Sequence, residues 1–192
     1  MGNAHRVIFR LTPQSMVISR NGNEKGHGNL LHDKLRSQLR EKQGRKPQST
    51  VASADSQSVK TTEKRGVVYG FDGGKKVKGR KRHIIVDSQG LLIGVLVTEA
   101  NASERLGAIV VFHESKEKLT QLEVVWVDQG YSGDNFAQAV KQICGDEVRV
   151  EVIERQSKEF EVLPKRWIVE RTFGWFNRFR RRAQGLRVIY GI

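Results

Sequence analysis

The sequence has a single cysteine, Cys144, and only five histidines, scattered at His5, His27, His32, His83 and His113. One cysteine excludes an internal disulfide and a cysteine-based zinc site, and fits a reducing compartment. The histidines show no H-x-x-x-H spacing and no pairing with cysteine, which argues against a zinc finger or a metalloprotease-type centre. Long apolar runs are missing as well. Nothing approaches the ~18 apolar residues of a membrane-spanning helix, and the N-terminal residues carry no continuous apolar stretch of a secretory signal. The G-x4-G-K-[ST] spacing of a Walker phosphate loop is absent. Acidic residues are outnumbered: 21 Asp and Glu stand against 34 Lys and Arg in 192 residues, a formal charge of +13. That excess favours a polyanionic partner, either nucleic acid or an anionic membrane surface. The hydrophobic share of 38%, with 19 glycines added, is ordinary for a globular chain and allows one cored domain plus an arm.

Residues 1–28 have no clean period and read as a poorly ordered arm. Leu31, Leu35 and Leu39 recur every four residues and predict an amphipathic packing helix over 29–42, ended by Gly44 and Pro47. Residues 50–59 predict a strand with Asp55 among the small residues Ala52, Ser53, Ala54 and Ser56. A carboxylate there is costly to bury unless paired or bound to a metal; the competing reading is an edge-strand aspartate facing water. Residues 60–82 are polar, basic and glycine-rich, expected to be flexible or turned. Lys75, Lys76, Lys78, Arg80, Lys81 and Arg82 put six positive charges in eight residues. A charge run is usually a solvated face, but this density interleaved with glycine favours phosphate contact. Residues 83–86 and 91–98 read as two strands of a hairpin around the turn 87–90. Asn101 stands where a helix N-cap would, opening a helix to about residue 118, with His113 on its surface.

In the stretch from Leu122 to Val127, Val124, Val125, Trp126 and Val127 are β-branched or aromatic, the pattern of a strand covered on both faces. Asp128 follows, then Gly130 and Gly133. Open α/β sheets put their chemistry at such a strand end, although a strand-end aspartate also commonly caps. Residues 134–144 predict a helix with Cys144 packed at its end, and residues 148–153 a fifth strand. A charged loop at 154–161 precedes a last helix from 165. There Trp167, Phe173, Trp175, Phe176 and Phe179 suggest an aromatic face, and Arg166, Arg171, Arg178, Arg180, Arg181 and Arg182 a basic one. Glu170 is either a carboxylate with a specific role or the partner of Arg166 or Arg171 in a helical ion pair.

Three strands followed by alternating helices and strands predict an α/β fold, a mixed five-stranded sheet flanked by helices. If the first and fourth strands are neighbours, Asp55 and Asp128 stand side by side, with Glu170 on a helix that can pack across that edge. Three converging carboxylates repel unless a cation lies between them. Mg²⁺ prefers carboxylate and phosphate oxygens, and two ions can clamp an in-line displacement at phosphorus. The residues therefore point to metal-dependent phosphoryl transfer on a nucleic-acid backbone.

Four stretches then carry a family resemblance: D-S-Q-S-V-K-T-T from Asp55, D-G-G-K-K-V-K-G-R-K-R-H from Asp72, V-D-Q-G-Y-S-G from Val127 and L-P-K-R-W-I-V-E-R-T-F from Leu163. With them the chain resembles the DDE transposases of bacterial insertion sequences, in particular the type-five group. The resemblance implies an RNase-H-like fold with Asp55, Asp128 and Glu170 as catalytic metal-binding triad and two Mg²⁺ ions, Mn²⁺ substituting. It also implies that Arg166 contacts DNA. With the basic residues Lys75, Lys76, Lys78, Arg80, Lys81, Arg82, Arg171 and Arg178, it would bind double-stranded DNA at the element's terminal inverted repeats and at the target. The implied chemistry is hydrolysis of a phosphodiester at the element's end, then attack of the freed 3′-hydroxyl on target DNA. A homodimer when active and a place in the bacterial cytoplasm near the nucleoid follow from the same resemblance.

There are departures from the family pattern. Residues 1–17 do not look like the family's N-terminal helical region. Asn177 stands where relatives often have lysine, seven residues after Glu170, and the expected C-terminal helix is missing after Arg182. The expected organisation is an arm (1–28), a helix and linker (29–47), an RNase-H-like catalytic domain (48–183) and a truncated tail (184–192). Two other readings stay open: a catalytically inactive, truncated remnant that only binds DNA, and an RNase-H-like nuclease acting on branched DNA.

Overall fold

The structure is a computed structural model that describes residues 27–61, 68–153 and 164–178. The expected N-terminal arm up to residue 26, the charged loop at 154–161 and everything from 179 onward lie outside the described residues. In chain order the elements are α1 (His27–Lys42), β1 (Val51–Lys60), β2 (Gly70–Asp72), β3 (Val77–Asp87), β4 (Leu92–Glu99), α2 (Glu104–Glu114), β5 (Val124–Val127), α3 (Asp134–Cys144), β6 (Arg149–Val152) and α4 (Pro164–Arg178). The strands form one mixed sheet. β3 pairs antiparallel with β1 on one edge and with β2 and β4 elsewhere, while β1–β5 and β5–β6 are parallel. This is the expected α/β, RNase-H-like arrangement, with the short β2 as a sixth strand.

The period of two along β3 decides where the helices go. Ile85 points to the side where Ala52, Ala54, Val125 and Val127 meet Val111 and Phe112 of α2 and Phe136 and Val140 of α3. Ile84 and Val86 point to the other side and pack on Val169 and Phe173 of α4. One sheet therefore has helices on both faces, and β5, covered on both, is the apolar run that the sequence suggests. His83 sits in this interior with no exposed surface. Its Nε2 lies 2.9 Å from the Thr98 hydroxyl. A Cβ on Gly107 would stand 2.2 Å from the imidazole, so only glycine lets α2 lie directly on it.

Three local expectations differ from the structure. The helix α2 is capped by Ser103, whose hydroxyl accepts from the Leu106 amide, two residues beyond Asn101. β3 begins at Val77 and runs through the basic stretch that reads as a turned segment. The charges are tolerated because each inward one finds a partner: Lys81 reaches Asp72 at 3.5 Å and the Ala102 carbonyl at 3.0 Å, and Arg82 donates to Gln57 and Asn177. The third difference is α1. Leu30, Leu31, Leu35 and Leu39 are all exposed, and its inward face is polar. Arg40 and Asp87 form a 2.6 Å ion pair with 6% and 0% of their side chains exposed. Asp33 pairs with Lys118 at 2.8 Å. Those bonds outweigh the leucine stripe and turn it outward. Among the described residues no helix is long and apolar enough to cross a membrane.

Asp87 also accepts from the amides of Gln89 and Leu91 and so shapes the β3–β4 turn. Asp87→Ala leaves the Arg40 guanidinium buried without its partner; a loss of about 3–5 kcal/mol is expected in urea unfolding. His83 gives a second measurable consequence. Burial, with Lys81 nearby, lowers its pKa from 6.5 to about 4, so the folded protein keeps it neutral while the unfolded chain protonates. Its contribution is complete above the unfolded value and is lost as pH falls from 6.5 towards 4. Melting temperature should rise across that window, and His83→Gln should flatten the rise.

Candidate functional site

The site forms where β1 and β5 run side by side. Their parallel register pairs Val51 with Val124, Ala52 with Val125 and Ser53 with Trp126. Carried two residues on, that register sets Asp55 opposite Asp128. Asp55 accepts from the Ser56 amide at 2.7 Å. Burial pushes its carboxyl up to about 7, opposed by that hydrogen bond and reinforced by the charge of Asp128. Asp128 ends β5 and caps a single 3-10 turn, Gln129–Tyr131, accepting from the Gly130 amide at 2.9 Å. It does not cap α3, whose N-cap is Gly133.

The helix α4 brings the third carboxylate to the same edge. The Arg166 guanidinium lies 3.8 Å from Asp128 and 3.2 Å from Glu170, one turn further along α4. Asp55 also feels the charge of Arg166. Glu170, 51% exposed, is thus the partner of Arg166 in a helical ion pair, and Arg166 links it to Asp128. Among the described residues, no three acidic, histidine or cysteine side chains stand grouped as a ready metal cage.

Sequence reading missed two members of this neighbourhood. Tyr131 is 1% exposed. The charges of Asp55, Glu104 and Asp128 add to burial in holding its phenol far above the ordinary range. Its hydroxyl and that of Ser56, 6% exposed, are buried without a well-formed hydrogen bond, although they lie close enough to influence each other. Glu104 opens α2, with Lys75 at 3.2 Å and Lys81 at 3.6 Å. Despite some burial, those ammoniums and the Ser56 hydroxyl hold its pKa below the usual value. An acid in the first turn of a helix looks like ordinary dipole compensation, so the sequence carries no signal that singles Glu104 out.

The basic residues divide by location. Lys75, Lys76 and Lys78 are exposed around the β2–β3 turn. Asp72 builds that turn, accepting from the amides of Gly74 and Lys75 and from the Ser58 hydroxyl, while Lys76 adopts φ 53°. The hydrogen bond from Ser58 holds the Asp72 carboxyl down at about 2. Arg178 is exposed at the end of α4. Others face inward. Arg80 donates to the Val68 carbonyl at 2.9 Å. Lys81 and Arg82 are 5% and 1% exposed. Burial lowers the Arg82 pKa to about 10, and its guanidinium lies 5.7 Å from the rings of Phe173 and Phe176. Arg82 and Asn177 thus lock α4 to the sheet. Arg171 stacks 4.9 Å from both Trp167 and Trp175, so the aromatic and basic faces expected of α4 are interleaved. Phe179, Arg180, Arg181 and Arg182 lie outside the described residues.

The chain matches the family described as "Transposase DDE domain" over residues 46–187. A curated relative, the putative transposase for insertion sequence element IS402 of Burkholderia cepacia, is 29% identical over 111 residues, 54% of this chain. The match covers 51% of that protein, so the chain spans about half the length of the relative. Two solved structures are similar in outline. One is a simian T-cell lymphotropic virus intasome in complex with PP2A regulatory subunit B56 gamma: TM-score 0.47, 15% identity, 76% of this chain and 44% of that one. The other is a pre-cleavage Mos1 transpososome: TM-score 0.28, 11% identity, 76% of this chain and 47% of that one.

Proposed function

The chain belongs to the DDE transposases of bacterial insertion sequences, and from that premise we propose that it cuts and joins DNA strands at Asp55, Asp128 and Glu170. The observation that carries this reading is the pairing of β1 with β5, which draws a buried carboxyl and a second carboxylate to one strand end. Two features support a fit to divalent cations. The donors are hard carboxylate oxygens, and the hydroxyls of Tyr131 and Ser56 are buried nearby without good partners. Asp55, Asp128 and Glu170 would hold Mg²⁺, Mn²⁺ substituting, with two ions as in other phosphoryl-transfer sites. Bound there, the ions would supply activation of the attacking oxygen and neutralise charge at phosphorus.

The chain's own residues would do the rest. Burial, with the charge of Asp128 added, holds the Asp55 carboxyl up until positive charge arrives. Arg166 supplies some of that charge from α4, and would turn to a DNA phosphate as the site fills. Lys75, Lys76, Lys78 and Arg178 have exposed ammonium or guanidinium groups for backbone phosphates. In the first reaction a water oxygen bonds to phosphorus and the 3′-oxygen leaves with a proton. In the second that 3′-oxygen bonds to a target phosphorus and displaces the target's own 3′-oxygen. The substrates would be the element's terminal inverted repeats and target DNA, and chemistry at two ends favours a homodimer. A second reading, a DNA-binding remnant without catalysis, draws on the present engagement of Asp128 and Glu170 by Arg166.

Nicking of a supercoiled plasmid in Mn²⁺ separates these readings. The parent chain should nick and Asp128→Ala should fall to background while remaining folded and bound to DNA. A folded, DNA-binding parent that does not nick would favour the remnant. Replacing Lys75, Lys76 and Lys78 together with alanine should act oppositely, weakening binding and lowering the slope of log K against log salt by about 1 per lysine.

A further inference from the structure

Glu104 lies outside the three carboxylates assigned above, yet it borders the same space. A Cβ on Gly130 would stand 3.0 Å from Asp128 Oδ1 and 3.4 Å from Glu104 Oε2. The glycine therefore leaves a gap flanked by an oxygen from each side, which any larger residue would fill. Asp128 and Glu104 come from different elements, β5's end and α2's first turn. Tyr131 supplies the independent observation. Its hydroxyl, 1% exposed and without a well-formed bond, is buried within reach of the charges of Asp55, Glu104 and Asp128. With no good partner of its own, it can turn to whatever these acids hold. Two ammoniums, Lys75 at 3.2 Å and Lys81 at 3.6 Å, occupy Glu104 meanwhile. Lys75, 49% exposed, is free to move outward; Lys81, 7% exposed, is fixed by Asp72 and the Ala102 carbonyl.

We propose that Glu104 is a fourth carboxylate of the divalent-cation site, sharing the gap above Gly130 with Asp128, and that Lys75 is the cation it exchanges for the metal. This rests on the reading of Asp128 as a metal-binding residue. It follows that metal loading releases the Lys75 ammonium, on an exposed turn, at the moment a DNA phosphate needs one. Site charge and phosphate grip are thus coupled through one side chain.

The test is direct Mn²⁺ binding to the full chain without DNA, read as free Mn²⁺ by electron paramagnetic resonance, with folding checked by circular dichroism. Lys75→Met should tighten Mn²⁺ binding several-fold, because the competitor is gone. Glu104→Gln should weaken it at least tenfold, and it should do so in the Lys75→Met background too, which removes the effect of a liberated lysine. Asp128→Asn is the reference and should also lose at least tenfold. If Asp128→Asn weakens binding while Glu104→Gln leaves it unchanged in both backgrounds, Glu104 is no part of the site. If Lys75→Met leaves the affinity unchanged, Lys75 is not the exchanged cation. If Asp128→Asn binds as the parent does, or the parent binds no Mn²⁺, the metal-site reading fails together with this one. Should Glu104→Gln not fold, Glu104→Asp takes its place in both backgrounds, and unchanged Mn²⁺ affinity there overturns the assignment of Glu104.

Discussion

Three residue pairs hold β1 beside β5 in parallel, and the site depends on them. Parallel neighbours need a long crossover, here the whole stretch from β2 through α2. That stretch carries the turn with Lys75 and the helix opening with Glu104, so the chain delivers both to the strand ends it has just joined. The opposite face is held by α4, through Val169 and Phe173 on Ile84 and Val86 and through buried Arg82 bonded to Asn177. Asn177 on α4 thus serves as an acceptor for an interior arginine. Asp55 and Asp128 face each other through the strand register, and Arg166 of α4 reaches Asp128 because the helix is fixed separately on the sheet.

Much of the frame was legible in the sequence. The helix at 134–144 has the bounds its pattern predicts, and the hairpin around Asp87–Gly90 forms as the turn residues indicate. What was not legible depends on long-range contact. The leucines of α1 suggest a buried stripe, but Arg40 meets Asp87 47 residues away, and that bond sets which face turns in. The basic run from Val77 looks like a loop because strands seldom bury lysine and arginine. Asp72, Gln57 and Asn177, which make it possible, are distant in sequence. Asp55 and Asp128 each had an innocent reading, and only the strand order puts them together. Glu104 gave no signal at all.

The charge balance is only partly a matter of the surface. Arg36, Arg40, Lys81 and Arg82 are buried, but so are Asp72 and Asp87, so burial removes little of the formal +13. The exposed positive charge near the site lies on the β2–β3 turn, on Arg105 beside Gly130 and along α4. Basic groups thus border the acidic strand ends, a layout of charge suited to a polyanion.

The outward leucines of α1 have a practical consequence for handling the protein. Like charges on separate copies keep them apart in dilute buffer, while four exposed leucines on one helix offer an apolar strip. Sulfate-type salts weaken that repulsion and at the same time strengthen apolar contact. Solubility should therefore be set less by the sheet than by this helix, and precipitation with ammonium sulfate should begin early for a chain so rich in charge.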